Sequence, residues 1–274
     1  MCQVLNVSKS GYHHWISRPT SDREIENKEM AIKIKQVYDS SKGRYGSPKV
    51  TKELAQMGFK ASRPRVARMM KREGLQSIIR KKYRVATTDS NHEYRISENL
   101  LNRNFNPEQP SKAWVSDITY IPTEQGWLYL TMVMDLFDRR VIGWSLSADM
   151  TTENTVLAAW KMATNNRDFA DDLIFHSDRG VQYASNEFRT KLKHAHVIQS
   201  MSRKGNCWDN AVAENFFKIL KSELIQHKHY LSHFHAKMEI FEFIEIWYNR
   251  KRKHAHLGYK SPDEFLNNFI KNVA

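Results

Sequence analysis

Between Trp114 and Leu146 the chain carries three runs dense in β-branched and aromatic residues: Trp114 to Ile121, Leu128 to Met134 and Arg140 to Leu146. Turn residues such as Glu124-Gln125-Gly126 part them, which predicts three antiparallel strands. The pattern then alternates, with a helix from Thr152 to Thr164, a strand at Leu173 to Phe175, a helix after Ser185 and a strand at Val197 to Ser200. Strands followed by β/α units restrict this part of the chain to a mixed α/β sheet covered by helices. A hydrophobic fraction of 41%, with seven Trp, eleven Tyr and thirteen Phe, supplies the core such a sheet needs. Uninterrupted apolar stretches such as Met132-Val133-Met134 fall far short of the roughly 18 residues of a membrane span. The first residues, Met1 to Asn6, lack a basic region followed by an apolar core, so a cytoplasmic protein is expected. Only Cys2 and Cys207 occur, which argues against a disulfide framework and a cysteine-held structural zinc.

Residues 1–85 read differently, as an all-helical region. Ser47-Pro48 opens a helix that Gly58 closes, and Ser62 opens a second that Gly74 closes. Two short helices joined by a tight turn predict a helix-turn-helix whose second helix enters the DNA major groove. On that helix Val66, Met69 and Met70 form an inner face, and Arg63, Arg65, Arg68 and Arg72 are the candidate DNA contacts. Ser8-Lys9-Ser10-Gly11-Tyr12 fits the second half of another such motif. The chain holds 43 Lys+Arg against 30 Asp+Glu, a net charge of +13, and Lys60 to Arg84 alone holds ten basic residues against one acid, Glu73. Clustered charge of this kind points to nucleic acid, although a solvated basic face has the same composition. Residues 86–112 lose periodicity and are expected to be a linker, so that residues 113–274 form the second domain. Its end is helical, from about His235 to Tyr248 and from a capping box at Ser261-Pro262-Asp263-Glu264.

Three acids in this second domain stand out. Asp117 lies mid-strand among β-branched and aromatic neighbours, where a carboxylate is costly unless paired or metal-bound. Asp178 follows the strand Leu173 to Phe175, at the carboxyl end where open α/β sheets place their sites. Glu214 begins a helix between the small residues Ala211 and Ala213. Three carboxylates from three elements suit Mg²⁺ or Mn²⁺, and two such ions clamp an in-line phosphodiester displacement. Singly, each acid also fits a turn cap or a helix-dipole partner. Asp135 and Asp138 are rivals for the metal, with a turn role as their alternative, and His176 is either an orienting partner of Asp178 or a satisfied strand-end histidine. His227, His229, His233 and His235 read as basic surface.

Sixty residues lie between Asp117 and Asp178 and 35 between Asp178 and Glu214. That spacing resembles the aspartate-aspartate-35-glutamate signature of retroviral integrases and DDE transposases. The words Trp114-Val115-Ser116-Asp117-Ile118-Thr119-Tyr120, His176-Ser177-Asp178-Arg179-Gly180 and Asn210-Ala211-Val212-Ala213-Glu214-Asn215-Phe216 resemble the downstream-frame transposase of insertion-sequence family three. Tyr248 to His254, with Leu257-Gly258-Tyr259 and Ser261-Pro262, is similar to that family's C-terminal motif, and Lys221 matches its basic residue seven positions after the glutamate. Retroviral integrases carry a His-His-Cys-Cys zinc domain, whereas His13-His14 have no cysteine pair.

The resemblance implies an RNase H-like integrase catalytic core behind a helix-turn-helix region, with Asp117, Asp178 and Glu214 holding two Mg²⁺ ions that Mn²⁺ can replace. It implies DNA 3′-end cleavage and strand transfer, acting on inverted-repeat element ends and target DNA. Lys218 and Lys221, on the face of Glu214, become DNA-contact candidates. A homo-oligomer on DNA and an upstream-frame product, joined by frameshift fusion, are the implied partners, with nucleoid association when bound. The competing classes are a non-catalytic DNA-binding repressor and a nuclease that cuts without joining.

Overall fold

The computed structural model describes residues 2–78 and 94–273, which fall into two compact units, one ending at Ile78. The basic residues Arg80 to Arg84 and the first part of the expected linker lie outside the described residues.

The N-terminal unit is helical: α1 Lys9–Ser17, α2 Asp22–Ser40, α3 Ser47–Gln56 and α4 Arg63–Arg72. Its core joins Met30, Ile34 and Val37 of α2 to Val50 and Leu54 of α3 and to Val66, Met69 and Met70 of α4. The expected helix pair is present, with its first cap one residue earlier, at Gly46. Gly58 and Gly74 follow the two helices with φ of +87° and +67°, left-handed positions that glycine adopts without strain. Ser8 caps α1 by accepting from the Gly11 N–H, but residues 2–6 form a turn. Among the described residues no helix precedes α1.

The second unit is built on a five-stranded sheet in the order β3-β2-β1-β4-β5, with β1 Ala113–Thr123, β2 Gly126–Asp135, β3 Val141–Ser147, β4 Ile174–Ser177 and β5 Ile198–Met201. β1, β2 and β3 are antiparallel, whereas β4 runs parallel to β1 and β5 parallel to β4. A π-helical turn, Glu153–Leu157, leads into α5 Ala158–Asn166. That helix lies so close on β3 that a methyl group added at Gly143 would sit 2.3 Å from the Ala159 carbonyl oxygen. Helices α6 Val181–Ala184 and α7 Asn186–His194 join β4 to β5. Trp114, Trp160, Phe175, Tyr183 and Phe188 fill the core beneath them. After β5 come α8 Ala211–Glu223, α9 His233–Phe241, a π-helical continuation Glu242–Lys251, and α10 Pro262–Val273.

Both sheet edges are covered, which matters because an open edge invites pairing with other chains. Asn249 accepts from the Val141 N–H at 3.0 Å and donates to the Val141 carbonyl at 2.9 Å, which caps the β3 edge at its first residue. At the β5 edge, the Ser200 hydroxyl accepts from the Leu100 and Leu101 N–H groups, and Met201 N–H donates to the Glu98 carbonyl. Residues 97–101 thus belong to the second unit rather than to a free linker, because their backbone groups are spent on the edge strand. The capping box at the start of α10 forms as expected: Ser261 N–H donates to Glu264 and Glu264 N–H donates to the Ser261 hydroxyl.

Candidate active site

The sheet brings two of the three acids together through register. Ala113, Trp114 and Val115 of β1 face Ile174, Phe175 and His176 of β4, and the same offset separates Asp117 from Asp178. Parallel neighbours lie about 4.8 Å apart, so the acids stand side by side at the end of β4. Gly180 N–H donates to Asp178 Oδ1 at 2.9 Å and Ile118 N–H to Asp117 Oδ1 at 2.9 Å, which fixes both carboxylates. A side chain at Gly180 would crowd Asp178, since its first carbon would lie 3.1 Å from Oδ1. The third acid comes from the first turn of α8, whose start is tethered to β1 by Asn210 Nδ2 donating to the Ser116 carbonyl at 3.0 Å. Asp117, Asp178 and Glu214 line one open cleft of about 330 Å³.

The electrostatics of this cleft call for a cation. Burial, followed by repulsion from Asp178, pushes the Asp117 carboxyl well above the usual range, and Glu214 adds to the rise. Burial likewise raises Glu214, with Asp178 contributing, while Lys218 opposes the shift. Beneath Asp117, the Ser116 and Tyr183 hydroxyls are 2.7 Å apart, and burial keeps the Tyr183 phenol neutral. Three acids that repel one another on a neutral, poorly solvated floor fit a divalent cation that supplies the missing charge. Among the described residues, no three His, Cys, Asp or Glu side chains converge on one point as a ready cage.

The two lysines of α8 separate in role. Lys218 is exposed and lies 3.7 Å from Glu214, the i,i+4 pair that the spacing predicts. Lys221 is half-buried; burial lowers its pKa, and attraction to Asp117 works against that.

Several cleft residues were not among the candidates read from the sequence, although Arg179 and Asn210 stand in the quoted words. Arg179, Ser202, Arg203, Lys204, Gly205, Asn206 and Asn210 also line the cleft, giving it a basic wall. Arg179 follows Asp178 in a word singled out for its aspartate, and Arg203-Lys204-Gly205 is a basic turn that only the β5 topology carries to the site.

The rivals resolve into structural roles. Asp135 accepts from the Ser111 and Phe137 N–H groups, and Arg167 bridges it to Asp138 with two 2.7 Å contacts. His176 is buried between the Ser200 and Ser202 hydroxyls, at 2.8 and 3.2 Å, with its pKa lowered to about 4 by burial. It is thus a neutral core histidine. His227 meets the Ser222 carbonyl and His229 meets Glu124, separate surface contacts. In the N-terminal unit Arg63, Arg68 and Arg72 lie on the exposed side of α4. Arg65 departs from the expectation: it clasps both Glu26 oxygens and Asn27 on α2. Its guanidinium is used inside the helical unit, because position 65 lies one residue from the buried Val66 and faces α2.

Residues 107–207 match the family model described as an integrase core domain, residues 195–262 a second integrase core model, and residues 24–83 an HTH-like domain. The chain is 39% identical over 274 residues to the insertion element IS600 uncharacterized 31 kDa protein of Shigella sonnei, with 100% of each chain covered. It is 39% identical over 276 residues to the transposase InsF for insertion sequence IS3A of Escherichia coli (strain K12), covering 100% of this chain and 94% of the other. Among solved structures, the simian T-cell lymphotropic virus intasome with PP2A regulatory subunit B56 gamma aligns at TM-score 0.49 and 13% identity, over 84% of this chain and 73% of that one. The HTLV-2 integrase catalytic core with magnesium aligns at TM-score 0.45 and 16% identity, over 58% and 99%.

An integrase-core sheet with a carboxylate cleft, preceded by an HTH-like helical unit, defines a DNA polynucleotidyl transferase dependent on a divalent metal. Its substrate is DNA. The chain belongs to the IS3-family transposases, within the DDE transposase and integrase superfamily, and its activity is transposition through DNA integration. No described helix is long and apolar enough to cross a membrane.

Proposed function

We propose that Asp117, Asp178 and Glu214 are the catalytic acids and that together they hold two Mg²⁺ ions, for which Mn²⁺ can substitute. The observation that carries this reading is the gathering of three carboxylates, from β1, the end of β4 and the start of α8, in one cleft. Bound metal there supplies the positive charge that polarises the scissile phosphate and lowers the cost of an ionised nucleophile. The chain's own residues position the reactants. Asp117 and Asp178 fix one side of the cleft through the sheet, and Glu214 closes the other from α8. Lys221 of α8, which feels the charge of Asp117, and Arg179, Arg203 and Lys204 of the cleft wall offer cations for the flanking DNA phosphates. Water first displaces the 3′-oxygen at an element end, leaving a free 3′-hydroxyl and a 5′-phosphate. That hydroxyl then displaces a 3′-oxygen in the target strand, so one phosphodiester forms as one breaks, with no covalent enzyme intermediate.

Residues 1–85 serve as the DNA-recognition region and residues 113–274 as the catalytic region in this reading. Arg63, Arg68 and Arg72 meet backbone phosphates as α4 enters the major groove. The working form is a homo-oligomer on DNA, fused by frameshifting to an upstream-frame product that adds end recognition, and it acts on the nucleoid in the cytoplasm.

Asp117→Asn, Asp178→Asn and Glu214→Gln test the acids. Each removes a charge at nearly constant volume, so cleavage of DNA carrying the element's ends should fall by orders of magnitude. Metal-free melting temperature should hold or rise, because mutual repulsion is relieved. Near-normal cleavage by any one variant removes that residue from the assignment.

A further inference from the structure

Beside the acid cleft stands a tryptophan that the reaction described so far does not use. Trp208 is 69% exposed on the short turn Cys207–Asn210, between Asn206 and Asn210, which both line the cleft. A tryptophan ring normally buries 150–250 Å², roughly, and one left in water forgoes that gain. Loop mobility does not account for its exposure, because the backbone on both sides is tied down. Asp209, fully buried, accepts from Arg203 N–H, Nε and Nη2 at 3.0, 2.8 and 2.7 Å and from Arg103 Nε at 2.8 Å. Asn206 Oδ1 accepts from the Trp208 N–H at 3.2 Å and from Arg103 Nη2 at 3.1 Å. The turn is thus a rigid mount. Arg179, Arg203 and Lys204 place positive charge along the adjoining cleft.

A flat apolar face held beside a row of cations suits a ligand with anionic phosphates and planar rings. In paired DNA the base faces are covered by their stacked neighbours. A terminal pair exposes one outer face, whereas an unpaired base can swing out and lay a full face on the indole beside the scissile phosphate. We propose that Trp208 is a stacking platform for an unpaired base next to the scissile phosphate, so that the enzyme engages its DNA ends opened rather than fully paired. This rests on the cleft being the place of strand cleavage.

The test uses the full chain without divalent metal, so that cleavage is not part of the readout. It is titrated with two short duplexes of one arbitrary sequence, one blunt and one ending in an unpaired fork that carries 2-aminopurine. One stacked base predicts about tenfold tighter binding to the fork, with quenching of the 2-aminopurine. Trp208→Ala should lose both the preference and the quench while keeping blunt-duplex affinity, and Trp208→Phe should keep most of each. Equal loss on both duplexes, or a fork preference that survives in Trp208→Ala, overturns the proposal. A changed sedimentation coefficient in Trp208→Ala with fork preference intact also overturns it, by assigning the ring to a contact between copies. Cleavage surviving in Asp117→Asn would instead sink the catalytic assignment, and it leaves the fork measurement untouched.

Discussion

Arg167→Met removes the guanidinium that lies 2.7 Å from both Asp135 and Asp138, two carboxylates with no exposed side-chain surface. The arginine side chain is itself only 8% exposed, so solvent cannot take its place. Even with Arg167 present, burial and then the neighbouring Asp135 push Asp138 up to about 6 from its ordinary 3.8. At about 1.36 kcal/mol per unit, that leaves an ionisation penalty of about 3 kcal/mol already present in the native protein. Breaking a buried ion pair from one side costs about 3–5 kcal/mol, which is the deficit expected for the variant near neutral pH.

The pH dependence has a fixed sign. An acid whose folded pKa exceeds its unfolded value binds more protons when folded, so stability falls as pH rises from the unfolded pKa through the folded one. In the native protein that window runs from 3.8 to about 6, and loss of the guanidinium extends it upward. The deficit of Arg167→Met should therefore be larger near pH 8 and shrink as pH falls through about 6, where Asp138 takes its proton. Urea unfolding followed by tryptophan fluorescence measures it, since Trp114 and Trp160 lie in the second unit's core. A deficit below about 1 kcal/mol, the range of an exposed pair, refutes the reasoning, as does one that does not change with pH. Rescue by Mg²⁺ would refute it differently, by returning Asp135 to the list of metal ligands.

Arg65→Ala should lower the melting temperature of the N-terminal unit and leave the salt dependence of DNA binding nearly intact. Arg68→Ala should flatten that slope by about 0.9 without loss of stability, and the reverse pattern in a salt titration would show Arg65 on the DNA. Lys221→Ala should reduce strand cleavage more than Lys218→Ala. Equal losses of cleavage in the two variants refute the separate role given to Lys221. Arg252→Ala breaks a buried bidentate contact with Glu223 at the end of α8, side chains 7% and 11% exposed. Its cost should be about 3 kcal/mol in thermal melting, barely recovered by Arg252→Lys, which lacks the planar fork. An unchanged melting temperature refutes that.

What the sequence determined by itself was local or periodic. Strand runs, helix caps and the capping box at Ser261 depend on neighbours within a few residues, and they appear at or within a residue or two of where the residues put them. The candidate acids stood out for another reason: a carboxylate amid Val115, Ile118 and Tyr120, another just past a strand, and a third with 35 residues between carry a spacing that resembles a known signature. Only tertiary structure decided partners that are distant in the chain. Arg167 lies about 30 residues from the two aspartates it neutralises, and Arg65 lies 39 from Glu26. Nothing local marks either arginine as structural rather than solvated or DNA-bound. Arg179, Arg203 and Lys204 reach the cleft because β4 and β5 run parallel to β1 and end together, and residues 97–101 are held because β5 is an edge with hydrogen bonds to fill. Short-range sterics and capping are written in adjacent residues, whereas charge pairing and edge coverage are settled only when the sheet brings remote segments within hydrogen-bond distance.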